Sequence, residues 1–265
     1  MVGGLAGLKG TFNTDFGEQL LNAVASKSIQ HLFSRSESVE VMIRCFPSSK
    51  LLQGSIDSFK MQGRNLVIRR QFHVEEMTFE TDAVALDFGS VLQGQIRLKQ
   101  PVQAIAQVVL SEAGINSAFE AELVKKRLVK ISSPELNAIS GEEPVTFSEV
   151  QVRLLPQNQV HIFAKADLPF HGLVPLSVIT TLSVERRRKI VFSQPRFQAE
   201  DIPAELQLTA ERLTYAFVNI LDNMVDLDRF DLDGVSMRIN RLETQDQRLV
   251  FSGYAQIDHF PRTGG

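Results

Sequence analysis

Apolar side chains keep to one parity along Gln93–Ser111. Ile96, Leu98, Val102, Ala104, Ala106, Val108 and Leu110 alternate with Gln95, Arg97, Lys99, Gln103 and Gln107. A period of two marks a half-buried strand. Its persistence from Ile96 to Leu110 predicts a single strand of about 50 Å, at roughly 3.3 Å per residue. Pro101, which has no N–H, places an edge or a bulge within it. Similar alternation predicts strands at Val39–Phe46, Leu66–Ile68, Phe72–Leu86, Val145–Leu155, Val160–Leu168, Val174–Val184, Ile190–Phe197, Val235–Leu242 and Arg248–Ile257, the last two as a hairpin. In Phe72–Leu86, Met77 and Phe79 oppose Glu76, Thr78, Glu80 and Asp82, so the sheet is antiparallel with one wet face.

Three segments carry the helical period instead. Thr14–Phe33 gathers Phe16, Leu20, Leu21, Val24, Ala25, Ile29, Leu32 and Phe33 on one side. Ser111–Leu128 opens on a serine N-cap, carries Ile115, Ala118, Phe119 and Leu123 on one face, and ends on Lys125, Lys126 and Arg127, where the helix dipole favours cations. Thr209–Val225 spaces Leu213, Phe217, Ile220, Leu221 and Met224 most cleanly. Ser111–Phe119 and Thr209–Phe217 share a hydroxyl cap, an apolar residue four positions on, and Ala-Phe, and each precedes two alternating strands. A helix followed by paired strands is therefore the expected repeating unit. Ser132–Pro144 reads as a polar link.

These elements predict an α+β fold: a long, strongly twisted antiparallel sheet wrapped around about three amphipathic helices. The expected organisation is a tail at residues 1–13, one elongated domain at 14–260 and a second tail at 261–265. The small residues Ala104, Ala106, Ala164 and Ala166 leave room on dry faces, for a closely packed helix or for a lipid tail.

Composition adds limits. With 43% hydrophobic and 22% charged residues the chain is expected to be globular. A net charge of -3 gives no bulk attraction to nucleic acid. The single cysteine, Cys45, reads as a small buried hydrophobe. Neither a signal peptide nor an apolar window of membrane-spanning length is visible, so the expected location is cytoplasmic or peripheral to a membrane.

Enzyme motifs are missing. Gly4, Gly7 and Gly10 are not the dinucleotide pattern, and Lys9-Gly10-Thr11 reverses a phosphate loop. His31, His73, His161, His171 and His259 are scattered. The acidic run Asp226–Gly234 fails as a calcium loop, because Arg229 and Asn240 fall at the first and twelfth positions. Glu76 and Glu80 sit on the polar face of a strand, where such residues belong without catalysis. No cofactor, metal or catalytic residue is expected.

Two features suggest lipid. Arg69-Arg70, Lys125-Lys126-Arg127 and Arg186-Arg187-Arg188-Lys189 are local basic clusters, suited either to anionic headgroups or to ordinary solvated turns and a helix end. Leu168–Pro175 is an apolar tip in which Phe170 and Leu173 either meet a bilayer or fold back on the core.

Lys50–Phe59, KLLQGSIDSF, followed by Gly63–Ile68, resembles the start of the LmeA-like phospholipid-binding domain, in cyanobacterial-type members. Leu86–Phe88 through Leu98–Val102, leading into Val109–Asn116, resembles its central segment; Gly114 stands where the family often has Asp. The likeness runs roughly from Val39 to Asp258, and no lipid-contact residue carries over with it. It implies the elongated architecture of the tubular lipid-binding proteins and a non-enzymatic binder, or carrier, of phospholipid or another acyl lipid with peripheral membrane contact. The helical stripes supply the expected tail contacts Ile115, Phe119, Leu213, Phe217 and Leu221, with Phe170 and Leu173 at the tip. Arg186, Arg187, Arg188 and Lys189 are the expected headgroup contacts. The alternative is a scaffold that binds protein through a sheet edge, without lipid. Oligomeric state is not specified by the sequence.

Overall fold

The structure is a computed structural model and describes residues 22–23, 25–27, 29–47, 49–87, 89–90, 97–169, 172–224 and 234–259. The strands run in order β1 (Ser38–Arg44), β2 (Ser55–Ile56), β3 (Ser58–Ile68), β4 (Phe72–Thr81), β5 (Val84–Ala85), β6 (Val102–Ser111), β7 (Thr146–Leu154), β8 (Gln159–Leu168), β9 (Gly172–Glu185), β10 (Lys189–Phe197), β11 (Val235–Gln245) and β12 (Arg248–Ile257). The helices are α1 (Ser49–Leu52), α2 (Glu112–Phe119), α3 (Glu122–Lys125), α4 (Pro134–Ser140) and α5 (Gln207–Asp222). Instead of one wrapped sheet there are two large antiparallel ones, with strand orders β1-β3-β4-β6-β12-β11 and β10-β9-β8-β7, beside a β2-β5 ribbon.

Several elements depart from the sequence reading, each for a local reason. The single strand expected over Gln93–Ser111 breaks at Pro101: Leu98 bridges Leu86, and β6 begins only at Val102. Gln93–Ile96 lie outside the described residues. The short strand at Leu66–Ile68 is the end of the 11-residue β3. Burial there runs on odd positions through Phe59, Met61 and Gly63, then switches to Leu66 across Asn65, whose φ of 46° breaks the alternation. The strand expected over Phe72–Leu86 ends at Thr81, and pairing resumes at Val84–Ala85 and at the Leu86 bridge.

The helix expected over Ser111–Leu128 splits at Ala121, whose backbone is extended (φ -65°, ψ 137°). Ser111 caps it as anticipated, its hydroxyl accepting the Gly114 N–H at 3.1 Å. The supposed polar link holds α4, capped by Ser133, with Pro134 in its first turn and Gly141 at its end. Thr209 is not a cap, since α5 has already begun at Gln207. Of the N-terminal helix, residues 22–23, 25–27 and 29–30 are helical, with Ala25 and Ile29 buried; Phe16, Leu20, Leu21 and Val24 lie outside the described residues. The two repeated strand pairs do form, but β7-β8 and β11-β12 belong to different sheets.

Edge strands expose unpaired backbone groups, and here side chains take many of them. Asn22 Oδ1 and Ser26 Oγ accept the Ile43 and Val41 N–H groups of edge strand β1 at 2.7 and 3.1 Å. One helical turn separates those two acceptors, and two strand residues separate the donors. The pattern recurs on β7: Glu112 of α2 accepts from Leu154 N–H at 2.8 Å, and Asn116 brackets Val152 with bonds of 2.7 and 3.0 Å. Asp222, ending α5, accepts from Phe192 of β10 at 2.6 Å.

The fourth edge, β11, joins the sheets. Asn158, in the β7-β8 turn, uses its side-chain amide as a strand residue would. It accepts from Thr244 N–H at 2.9 Å and donates to the Leu242 carbonyl at 3.0 Å. The Arg187 carbonyl, in the β9-β10 turn, accepts from Ile239 N–H at 2.6 Å.

The apolar interior is continuous. The largest cluster combines the inner face of β7–β10 with α5, Leu136 of α4, and Ile239, Leu242 and Leu249 of the other sheet. Leu110 and Phe251 link it to a second cluster around Ala106, Val108 and Ala255. Phe33, Val39, Met77 and Phe79 link that to a third, under the N-terminal helical residues. Ala104, Ala106, Ala164 and Ala166 are all buried.

Candidate functional site

Helix α5 forms because its apolar positions fall on one side, and that side is dry. Ala210, Leu213, Thr214, Phe217 and Leu221 are buried along it. Phe217 stacks on Phe147 of β7, with ring centroids 4.7 Å apart. Leu213, Phe217 and Leu221 keep 1% or less of their surface exposed. Ile115 and Phe119 of α2 pack against the same cluster but are only partly buried, as are Val124, Ile131 and Met224. The structure thus brings together all five tail contacts expected from the helical stripes. Three lie in the centre of the cluster and two on its rim.

The remaining expected contacts fall elsewhere. Leu173, second residue of β9, is 55% exposed and does not belong to the cluster. Phe170 lies outside the described residues, as do His171 and residues 226–233 of the acidic run. Arg186 and Arg187 occupy successive positive-φ positions of the β9-β10 turn. Arg187, itself exposed, lies against the six-stranded sheet: besides its carbonyl bond, its guanidinium donates to Asn240 and lies over the Tyr254 ring at 5.9 Å. Arg186 approaches Glu185 at 3.7 Å, the Arg188 N–H donates to the Glu185 carbonyl, and Lys189 opens β10. This turn clamps one sheet to the other as well as presenting charge.

One polar atom inside the cluster lacks a partner. Thr214 is completely buried on the apolar face of α5, and its hydroxyl makes no hydrogen bond among the described residues. Buried hydroxyls are ordinarily satisfied.

A second polar group escaped sequence reasoning because its members are far apart in the chain. His161 Nε2 lies 2.8 Å from Ser177 Oγ and 3.2 Å from Asp201 Oδ2, and the Ser177 hydroxyl donates to Asp201 at 2.6 Å. This is not the relay of a serine nucleophile, in which the two ring nitrogens separate the carboxylate from the serine. Here one nitrogen faces both partners, and Ser177 is fully buried. The group fastens the segment after β10 across the outer face of β8 and β9. Burial pushes His161 below its usual value, more strongly than the Asp201 carboxylate pulls it up. Among the described residues, no group of three or more His, Cys, Asp or Glu side chains could hold a metal.

The family model described as LmeA-like phospholipid-binding matches residues 13–253. The chain belongs to the LmeA-like phospholipid-binding family. No curated protein and no solved structure matches it. The segments whose sequence carries the family likeness meet one another in space. Ser55 and Ile56 pair with Ala85 and Val84, and the Gly54 carbonyl accepts from Leu86 N–H at 2.6 Å. Gly54 has a φ of 76°, and a methyl group there would lie 2.1 Å from the Leu86 carbonyl oxygen. Gly114 also has a packing reason: a methyl group would sit 3.0 Å from the His73 carbonyl oxygen of β4. In these segments Gly54 and Gly114 hold the fold, while Leu110 and Ile115 pack against the apolar cluster. No helix among the described residues is long and apolar enough to cross a membrane.

Proposed function

We propose that the chain is a non-enzymatic binder, and by extension a carrier, of phospholipid or another acyl lipid, with its tail site in the cluster around α5. The observation that carries this reading is the meeting of Ile115, Phe119, Leu213, Phe217 and Leu221 in one apolar cluster of a phospholipid-binding family member. The rim residues Ile115, Phe119, Val124, Ile131 and Met224 form the entry, and the buried α5 residues face the tail's inner end. Each methylene withdrawn from water contributes about 0.8 kcal/mol, which offsets the cost of ordering tail and side chains. Leu173 at the tip of β9 and the cations Arg186, Arg188 and Lys189 are surface contacts in the same reading, with the protein peripheral to a membrane. Phe170 belongs to that tip by sequence. The elongated, tubular shape is part of the proposal. The sheet-edge alternative is less well supported, because the edge groups described above on β1, β7, β10 and β11 already have partners.

Native mass spectrometry of the purified protein, with organic extraction, tests this. Co-purifying phospholipid at up to stoichiometric occupancy is the expected result. A clean apo mass that stays unchanged after incubation with phospholipid would overturn it.

A further inference from the structure

The segment 121–131 turns two kinds of residue in opposite directions. Ala121 and Leu128 are buried and Val124 and Ile131 partly so, three of them packed in the α5 cluster. Only Glu122–Lys125 is helical and residues 126–130 form a turn, and the positions between these four are exposed. Those positions combine exposed apolar groups with cations: Leu123 at 52% exposure, Val129 at 46%, and Lys125, Lys126, Arg127 and Lys130. Two large apolar side chains on the outside of so short a segment are unlike the polar surface of an ordinary turn.

The segment is held firmly. The Leu128 carbonyl accepts from Phe147 N–H at 2.8 Å, Lys130 N–H donates to Thr146 Oγ at 3.1 Å, and Ile131 pairs with Val145. It is also close to the proposed tail site, since Phe147 is the residue that stacks on Phe217. Charge favours an anionic partner locally. Four cations against Glu120 and Glu122 leave +2 over residues 120–130, in a chain whose total is -3. Glu120 engages Lys125 at 2.7 Å, and Arg127 reaches the Met224 carbonyl at 3.5 Å. Among the described residues Lys126 and Lys130 have no ion pair.

From this combination we propose that residues 123–130 are the surface by which the protein docks on an anionic phospholipid bilayer. Leu123 and Val129 enter the interface, and Lys126 and Lys130, with Lys125 and Arg127, meet the headgroup phosphates. Docking there sets the rim of the α5 cluster against the membrane, which is where a tail must cross. The inference rests on the lipid-binding reading above and adds the partner surface.

Vesicle flotation tests it, with phosphatidylcholine vesicles that either contain or lack phosphatidylglycerol. The intact chain is expected to float with the anionic vesicles and to lose them as salt rises. Each cation removed is expected to weaken association about fivefold. The charge-reversed pair Lys126→Glu with Lys130→Glu should lose at least about 25-fold. Leu123→Ser with Val129→Ser should weaken binding with the same salt dependence. All these side chains are exposed, and circular dichroism checks that each variant folds. Flotation that is indifferent to phosphatidylglycerol, or unaltered in both double variants, overturns the docking surface. Lipid occupancy by native mass spectrometry is read separately. An empty protein counts against the lipid-binding reading, whereas occupied protein that does not float counts against this surface alone.

Discussion

Thr214 sets a buried hydroxyl, without a partner among the described residues, into the apolar cluster around α5. An unsatisfied buried polar group costs about 1–3 kcal/mol. Thr214→Val keeps the shape and removes the hydroxyl. It is expected to raise stability by about 1 kcal/mol, read as a higher urea midpoint at unchanged slope; a lower midpoint would mean that the hydroxyl has a partner. His161 gives a prediction with a sign. Its folded-state value lies below the unfolded one, so the neutral ring is the form the fold favours. That stability is complete above the unfolded value, about 6.5, and is lost as pH falls through the lowered one. Thermal stability should therefore decline as pH falls below about 6.5, and His161→Gln should flatten the decline. An identical profile in the variant would show that the Ser177–Asp201 fastening does not depend on a neutral ring. Sequence reading found neither residue's role. A lone threonine on a helix and three polar residues spread over β8, β9 and the segment beyond β10 carry no periodic signal.

At the scale of elements, periodicity was informative where one partner layer dictates burial. The buried faces of β8 and β9 and the buried stripe of α5 follow directly from alternating and helical spacing. It misled where a backbone feature interrupts the pattern: Pro101 before β6, Asn65 in β3, Ala121 between α2 and α3. Helix α4 was overlooked although Ser133, Pro134 and Gly141 supply its start and stop, because only Leu136 is a fully buried apolar residue in it. The edge bonds lay beyond the pattern entirely, since they depend on which helix lies beside which strand. Asn158 is the most exposed to test among them. Asn158→Ala removes both side-chain bonds to β11 and is expected to cost about 1–3 kcal/mol, with faster hydrogen exchange at Thr244. Unchanged stability would mean that the β7-β8 turn does not help to join the sheets. Gly54→Ala sets a side chain against Leu86 in left-handed backbone and should cost at least about 2 kcal/mol, measured by urea unfolding.

For the whole molecule, sequence reading anticipated an antiparallel α+β fold and the helical stripes that meet at α5, but expected one sheet. Two sheets arise because the turns at Asn158 and Arg187 let one stack of strands dock against the edge of the other. No strand-level pattern encodes that contact. It places the β7–β10 inner face, α5 and the end of the six-stranded sheet around a common apolar centre, which is the basis for the lipid proposal. The most direct measurement is photocrosslinking with a phospholipid that carries a diazirine near the end of one acyl chain, followed by peptide mapping. The account predicts label on α5 around Leu213–Leu221 and on Phe147 of β7, with weaker label at Ile115 and Phe119. Label confined to exposed apolar residues such as Leu123, Val129 and Leu173, with none in the α5 cluster, would contradict it.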